Sequence, residues 1–127
     1  MNCKVLLIED DKTMLTLLGT LLQMEGFEVL KLERDDNLDS IMDAMQQKKP
    51  DIVLLDVNLR QLNGFDLLKS MRQNTELQHT RVIMSSGIDF SERCKREGAN
   101  DFILKPYMPE DLIEKIRCTI SEQNPLQ

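Results

Sequence analysis

The sequence predicts an α/β domain built on a parallel β-sheet, and three observations predict it. Short apolar runs such as Val5-Leu6-Leu7-Ile8 and Ile52-Val53-Leu54-Leu55 suit strands buried on both faces. Segments with apolar residues at helical spacing stand between them. Each run ends in polar or acidic residues, at the sheet edge where open α/β folds bind ligands. Asp56, directly after the second run, is therefore the first candidate for chemistry.

Taken in order, the first strand ends in Glu9-Asp10-Asp11. Between Lys12 and Gln23 the residues Met14, Leu15, Leu17, Leu18, Leu21 and Leu22 make a helix, with Asp10 or Asp11 as its cap and Gly26 ending it. The stretch from Phe27 to Leu32 alternates like a strand with one less-buried face. Leu38, Ile41, Met42 and Met45 mark a helix between Asp36 and Gln47, and Pro50 breaks the chain before the Asp56 strand. Asn63-Gly64 signals a turn, followed by a helix carrying Phe65, Leu67, Leu68 and Met71. Arg81 to Gly87 reads as a fourth strand that runs into Ser85, Ser86 and a glycine. Ser91 to Glu97, with Cys94 its only apolar residue, predicts a short and weakly anchored helix. A fifth strand, Asp101 to Leu104, precedes Lys105-Pro106. The last helix opens on Pro109-Glu110-Asp111, where proline and acids both favour a helix start. Strands and helices that alternate in this way imply a sheet covered on both faces.

The totals narrow the function. A chain of 127 residues is expected to be one domain that buries roughly two-thirds of its unfolded surface. A formal net charge of -6 argues against binding a phosphate backbone, and no DNA-binding helix pair is present, so direct nucleic-acid contact is not expected. Cys3, Cys94 and Cys118 form no CxxC pair and read as free thiols of a reducing compartment. No apolar stretch approaches the ~20 residues of a membrane span, and acids arrive too early for a signal peptide, so the expected location is the cytoplasm, away from membranes. The lone His79, in a polar loop, reads as solvated, and the methionines as core.

At one sheet edge this layout collects the acids after strand one, Asp56, the serines after strand four and Lys105. Singly, each has a plain reading as a cap, a loop acid, a turn or a surface lysine. Together they suit phosphoryl transfer. Clustered carboxylates invite a hard divalent cation such as Mg²⁺, a carboxylate can act as nucleophile, and a lysine and a hydroxyl can hold the phosphoryl oxygens.

Through LLIEDD, LLDVNL with Asn63-Gly64, IMSSG and GANDFILKPYMPEDL, the sequence resembles the response-regulator receiver domain of two-component signalling, of the chemotaxis-regulator type. The resemblance runs from Lys4 to Ile120. It implies a flavodoxin-like (βα)5 doubly wound sandwich whose five-stranded parallel sheet has the order 2-1-3-4-5. Asp56 is the implied phosphorylation site, taking its phosphoryl group from a sensor histidine kinase, a phosphotransfer protein or a small phosphodonor. Asp11 and Asp56, with the backbone carbonyl of Asn58, are the implied Mg²⁺ ligands, and Asp10 acts through a metal-bound water. Lys105 pairs with the phosphoryl group, and its bond to Pro106 is expected to be cis. Ser86, which precedes the small Gly87, is the implied switch hydroxyl ahead of Ser85, and Phe102 the switch aromatic. The receiver is expected over residues 1–121, with a short polar tail at 122–127.

Such a domain is a signalling phospho-acceptor and not an enzyme with an external substrate; its own chemistry is Mg-dependent self-phosphorylation and autodephosphorylation. Its partners are the kinase and a downstream protein or fused effector domain, and the resemblance leaves room for a phosphorylation-dependent homodimer. No effector domain is expected after Ile120. Two departures stand out: Arg60 occupies the place of a usual proline, and the interval from Ser86 to Gly98 is short, which implies a short or displaced fourth helix at the output surface. An aspartate-nucleophile phosphatase would need an acid where Asn58 stands. A degenerate receiver serving only as a protein-binding module is disfavoured because the site residues are present. A nucleotide fold is disfavoured by the absence of GxGxxG.

Overall fold

The computed structural model describes residues 3–32, 37–60 and 62–121. In chain order these form β1 (Lys4–Ile8), α1 (Lys12–Met24), β2 (Glu28–Lys31), α2 (Leu38–Lys48), β3 (Ile52–Asp56), α3 (Gly64–Arg72), β4 (Arg81–Ser86), α4 (Ser91–Arg96), β5 (Asp101–Leu104) and α5 (Pro109–Ser121). Every strand pairing is parallel and the sheet order is β2-β1-β3-β4-β5, as expected. The expected tail at 122–127 and the expected helix start at Asp36 lie outside the described residues. No helix among the described residues is long and apolar enough to cross a membrane.

The sheet divides the core. On one face Leu6, Ile8, Val53 and Leu55 meet Ile41 and Met45 of α2 and Phe65, Leu68 and Met71 of α3. On the other, Val5, Leu7, Ile52, Leu54 and Ile83 meet Leu18 and Leu22 of α1 and Leu112 and Ile116 of α5. Each fully buried Leu or Ile contributes about 1.5–3 kcal/mol, and β3, buried at every residue, collects that contribution from both faces. The edge strand β2 differs from its expected pattern of one less-buried face. Val29 packs toward α1 and α5 while Leu30 packs toward α2 and α3, because helices cover both sides of the sheet even at its rim.

The ends of the elements follow local chemistry. Asn37 caps α2, its Oδ1 accepting the Ser40 N–H at 2.8 Å, and Asn63 caps α3 by accepting the Phe65 N–H at 2.7 Å. Gly26 leaves α1 at φ 96°, a conformation that costs a side chain but not a glycine. Helix α4 is as short as expected but better anchored than its composition suggests. Cys94 is buried, with its Sγ donating to Met84 Sδ at 3.7 Å, and burial pushes the thiol up to about 11. The Arg93 guanidinium lies 4.0 Å from the centre of the Phe65 ring, which meets Phe90 edge-on at 5.7 Å.

At the opposite sheet edge from the acids, Arg72 closes α3 and ties three loops. Its Nε donates to Gly98 O at 2.9 Å, its NH1 to Gln78 O and Thr80 O at 3.2 and 2.7 Å, and its NH2 to Asn100 Oδ1 at 3.2 Å. Burial pulls the guanidinium pKa below its ordinary value. Arg72→Ala is expected to cost about 2 kcal/mol of stability, since hydrogen bonds from a charged donor are lost together. Arg117→Ala, which removes only the exposed 2.6 Å pair with Glu25, should cost less than about 1 kcal/mol. Urea denaturation of the two variants checks that order.

Candidate functional site

Strand register decides which side chains meet beyond the carboxyl edge. In a parallel sheet, paired residues point to the same face. Leu7 pairs with Leu54, and Leu54 with Ile83, so the residues two further on, Glu9, Asp56 and Ser85, leave their strands on the α1/α5 face. Ser85 pairs with Ile103, and Lys105 follows Ile103 on that same face. The order change between β1 and β3 opens the crevice in which such groups collect.

Asp56 is buried and held at both oxygens. Its Oδ1 accepts the Asn58 N–H at 3.1 Å, and its Oδ2 accepts Lys105 Nζ at 2.9 Å. The same ammonium donates to Glu9 Oε1 at 2.9 Å, so one cation bridges two buried carboxylates. Burial pushes the Glu9 pKa up, the hydrogen bonds from Lys105 and the Asp11 N–H pull it back, and the nearby Asp56 charge adds to the rise. For Lys105 burial works against the ammonium, but the hydrogen bonds to Asp56 and Glu9 outweigh it and hold the pKa above the ordinary lysine value.

The loop after Asp56 is packed backbone against backbone. The Gly64 N–H donates to Val57 O at 2.7 Å, and Asn58 bridges to Asn63. A Cβ at Gly64 would overlap the Asp56 carbonyl oxygen and stand 2.9 Å from Val57 Cα, so this turn admits only glycine. On the far side, Lys105 N–H donates to Ser86 O at 2.8 Å, which fixes the ends of β4 and β5 together. The Lys105–Pro106 peptide is cis, as expected.

The structure sorts the expected site residues. It brings Asp56 and Lys105 into direct contact and supplies the Asn58 backbone to Asp56, with the Asn58 side chain exposed. Asp10 is half-buried in the bend after β1. Asp11 is not brought to Asp56 by any hydrogen bond: it caps α1, its Oδ1 accepting the Met14 N–H at 3.1 Å. The acid that joins Asp56 through Lys105 is Glu9, so the implied Asp10/Asp11 pair sits one residue late along the chain. The alternation of β1, through Val5 and Leu7 to Glu9, is the signal that finds it. Ser86 is buried on the opposite face from Ser85, its Oγ accepting the Ile88 N–H at 3.1 Å and keeping its own proton to donate. Phe102, paired with Met84, is half-buried against the α2/α3 side of the core. His79 is exposed, as expected.

Among the described residues no cluster of three or more His, Cys, Asp or Glu side chains forms a cation cage. The donor set near Asp56 is all oxygen: carboxylates and the Asn58 carbonyl. That suits Mg²⁺, which takes few protein oxygens and keeps several waters, and not a softer ion.

A family model described as the response regulator receiver domain matches residues 5–117. The chain is 36% identical over 121 residues to the transcriptional regulatory protein CpxR of Escherichia coli K12, covering 92% of this chain and 49% of that protein. It is 29% identical over 125 residues to the phosphate regulon transcriptional regulatory protein PhoB of Rhizobium meliloti, covering 96% of this chain and 54% of that one. The chain thus spans about half the length of these curated relatives. Among solved structures it is similar to a CheY-like response regulator receiver domain protein from Methanospirillum hungatei, with TM-score 0.84, 25% identity and 97% of each chain covered.

Because its raised pKa rests on the two carboxylates, Lys105 adds stability that is fully present below the unfolded lysine value of about 10.4 and is lost as pH rises through the higher folded value. Lys105→Met is expected to lack that alkaline loss. Thermal melts at rising pH, without added Mg²⁺, should show the wild-type midpoint falling more steeply than the variant's.

Proposed function

We propose that this chain, which belongs to the response-regulator receiver family, accepts a phosphoryl group on Asp56 and passes the signal on through its surface. The observation that carries this is the buried Asp56 carboxylate at the end of β3, held by the Lys105 ammonium at 2.9 Å.

In the transfer, a carboxylate oxygen of Asp56 forms a bond to phosphorus as the bond from phosphorus to the donor breaks. The electron pair leaves with the donor, an imidazole nitrogen for phosphohistidine or an acyl oxygen for a small acyl phosphate. The Asn58 N–H fixes the carboxylate, so little reorganisation is needed at the moment of attack. Lys105 offsets the growing negative charge on the phosphoryl oxygens. Ser86, whose hydroxyl proton is free of the Ile88 contact, is the reading's switch donor, and Phe102 its aromatic reporter. Asp10 and Asp56, with the Asn58 carbonyl, would hold Mg²⁺, and Glu9 would act through its water, in place of the Asp10/Asp11 arrangement. When bound, that ion neutralises charge and bridges to phosphoryl oxygens.

The domain in this reading is a signalling protein of the cytoplasm, formed by residues 1–121. Its donor is a sensor histidine kinase or a phosphotransfer protein, and its output is a downstream protein or an effector domain. The printed names of the relatives place such receivers in transcriptional regulators, so an output of that class is proposed here as well. With Asn58 exposed and no acid two residues after Asp56, turnover of an external phosphoester is not part of the reading.

Incubation with Mg²⁺ and acetyl phosphate should add the mass of one phosphoryl group, and Asp56→Asn should abolish the gain. A folded wild-type protein that takes up no phosphate would sink the proposal. The two acids after β1 separate further. Asp10→Asn is expected to lose Mg-dependent uptake. Asp11→Ala should still take up phosphate while losing about 1 kcal/mol of stability with the helix cap.

A further inference from the structure

Two buried side-chain hydroxyls, Ser85 Oγ and Tyr107 Oη, have no hydrogen-bond partner among the described residues. Such orphans are uncommon, since an unpaired buried polar group costs about 1–3 kcal/mol. Both lie on the α1/α5 side of the sheet at its carboxyl edge. Ser85 stands beside Asp56 in the next strand, and Tyr107 follows Lys105 by two residues and packs against the α1/α5 half of the core. The Tyr107 ring is reached from a groove of about 560 Å³ beside α5, but its hydroxyl is turned inward. Among the charges around that phenol, Glu9 acts most strongly, ahead of Lys105 and Asp56.

The second observation is the shared cation. Glu9 is 4% exposed at its side chain and is paired with Lys105, which also serves Asp56. A phosphoryl group on Asp56 brings further negative charge and draws the ammonium toward it. Glu9 then remains buried without its cation, a costly state unless another donor replaces it.

We propose that Tyr107 is a positioning residue whose spare hydroxyl donates to the Glu9 carboxylate when Lys105 is drawn to the phosphoryl group. The inference rests on Asp56 being the acceptor. It accounts for a hydroxyl kept at a buried place where phenylalanine would fill the same space at no polar cost. Tyr107 holds Glu9 in place, leaving Lys105 free to serve the phosphoryl oxygens.

The chain makes this directly readable, because it has one tyrosine and no tryptophan. Tyrosine absorption and fluorescence therefore report Tyr107 alone. Donation to a carboxylate shifts the absorption to longer wavelength and quenches the emission. Two arms decide the matter. In the first, wild-type protein is treated with Mg²⁺ and acetyl phosphate while mass and the tyrosine band are followed together. A gain in mass with the red shift supports the inference. A gain in mass with an unmoved band overturns it and leaves Asp56 as the acceptor. No gain in mass refutes the acceptor reading instead, and the second arm still decides the role of Tyr107.

That second arm uses Lys105→Met, which withdraws the cation without any phosphate. The red shift and quenching are expected in Lys105→Met and absent from Lys105→Met/Glu9→Ala. Tyr107→Phe should leave or raise the melting temperature in the wild-type background and lower it in the Lys105→Met background. An effect of the same sign in both backgrounds, or a band shift that survives Glu9→Ala but vanishes with Ser85→Ala, overturns the proposal.

Discussion

One ammonium between two buried carboxylates governs this molecule. Lys105 reaches Glu9 from β1 and Asp56 from β3 at 2.9 Å each, so the ends of three strands are joined by a single charge. Without it, two acids would face each other in a place that water hardly enters. Much of the remaining architecture can be read as what is needed to bring those three groups together. The parallel register puts them on one face, the order change at β1 and β3 opens the crevice, and the apolar runs on both sides hold the strand ends still.

The resulting edge is rigid on one side and adjustable on the other. Around Asp56 the contacts are backbone to backbone, with no rotamer to relax. Toward Ser86 and Phe102 the chain passes into α4, a helix of six residues held by a stacked guanidinium, an edge-on ring pair and a buried thiol. An acceptor that must not move and a neighbouring surface with few bonds to rearrange together suit a two-state element.

The fold was legible in the sequence because it rests on patterns that survive without coordinates. The apolar runs and their spacing gave every strand, and the acid after the most buried run marked Asp56. Lys105 was visible for the same reason, as the polar end of β5. The assignment of the acids after β1 was less so. Glu9, Asp10 and Asp11 are chemically alike, and which one caps the helix is decided by backbone angles at a single residue, which spacing alone does not encode. Once Asp11 is the cap, Glu9 falls to the inner face. Arg72 was invisible for another reason: most of its partners are backbone carbonyls distant in sequence, and a carbonyl carries no signature of the residue that bears it. The strength of α4 was underestimated because its anchors, Phe65 and Phe90, belong to neighbouring segments.

The glycine that follows the acceptor loop has a consequence for how such a chain tolerates change over generations. Apolar positions under the sheet can exchange Leu, Ile and Met with modest loss, since volume and not identity is what they supply. Gly64 has no such latitude: a single added methyl meets the carbonyl of Asp56 and the backbone of Val57. The interior can therefore drift while the acceptor stays fixed, and sequence divergence among chains of this design should concentrate in the core lining and spare one residue that carries no chemistry at all.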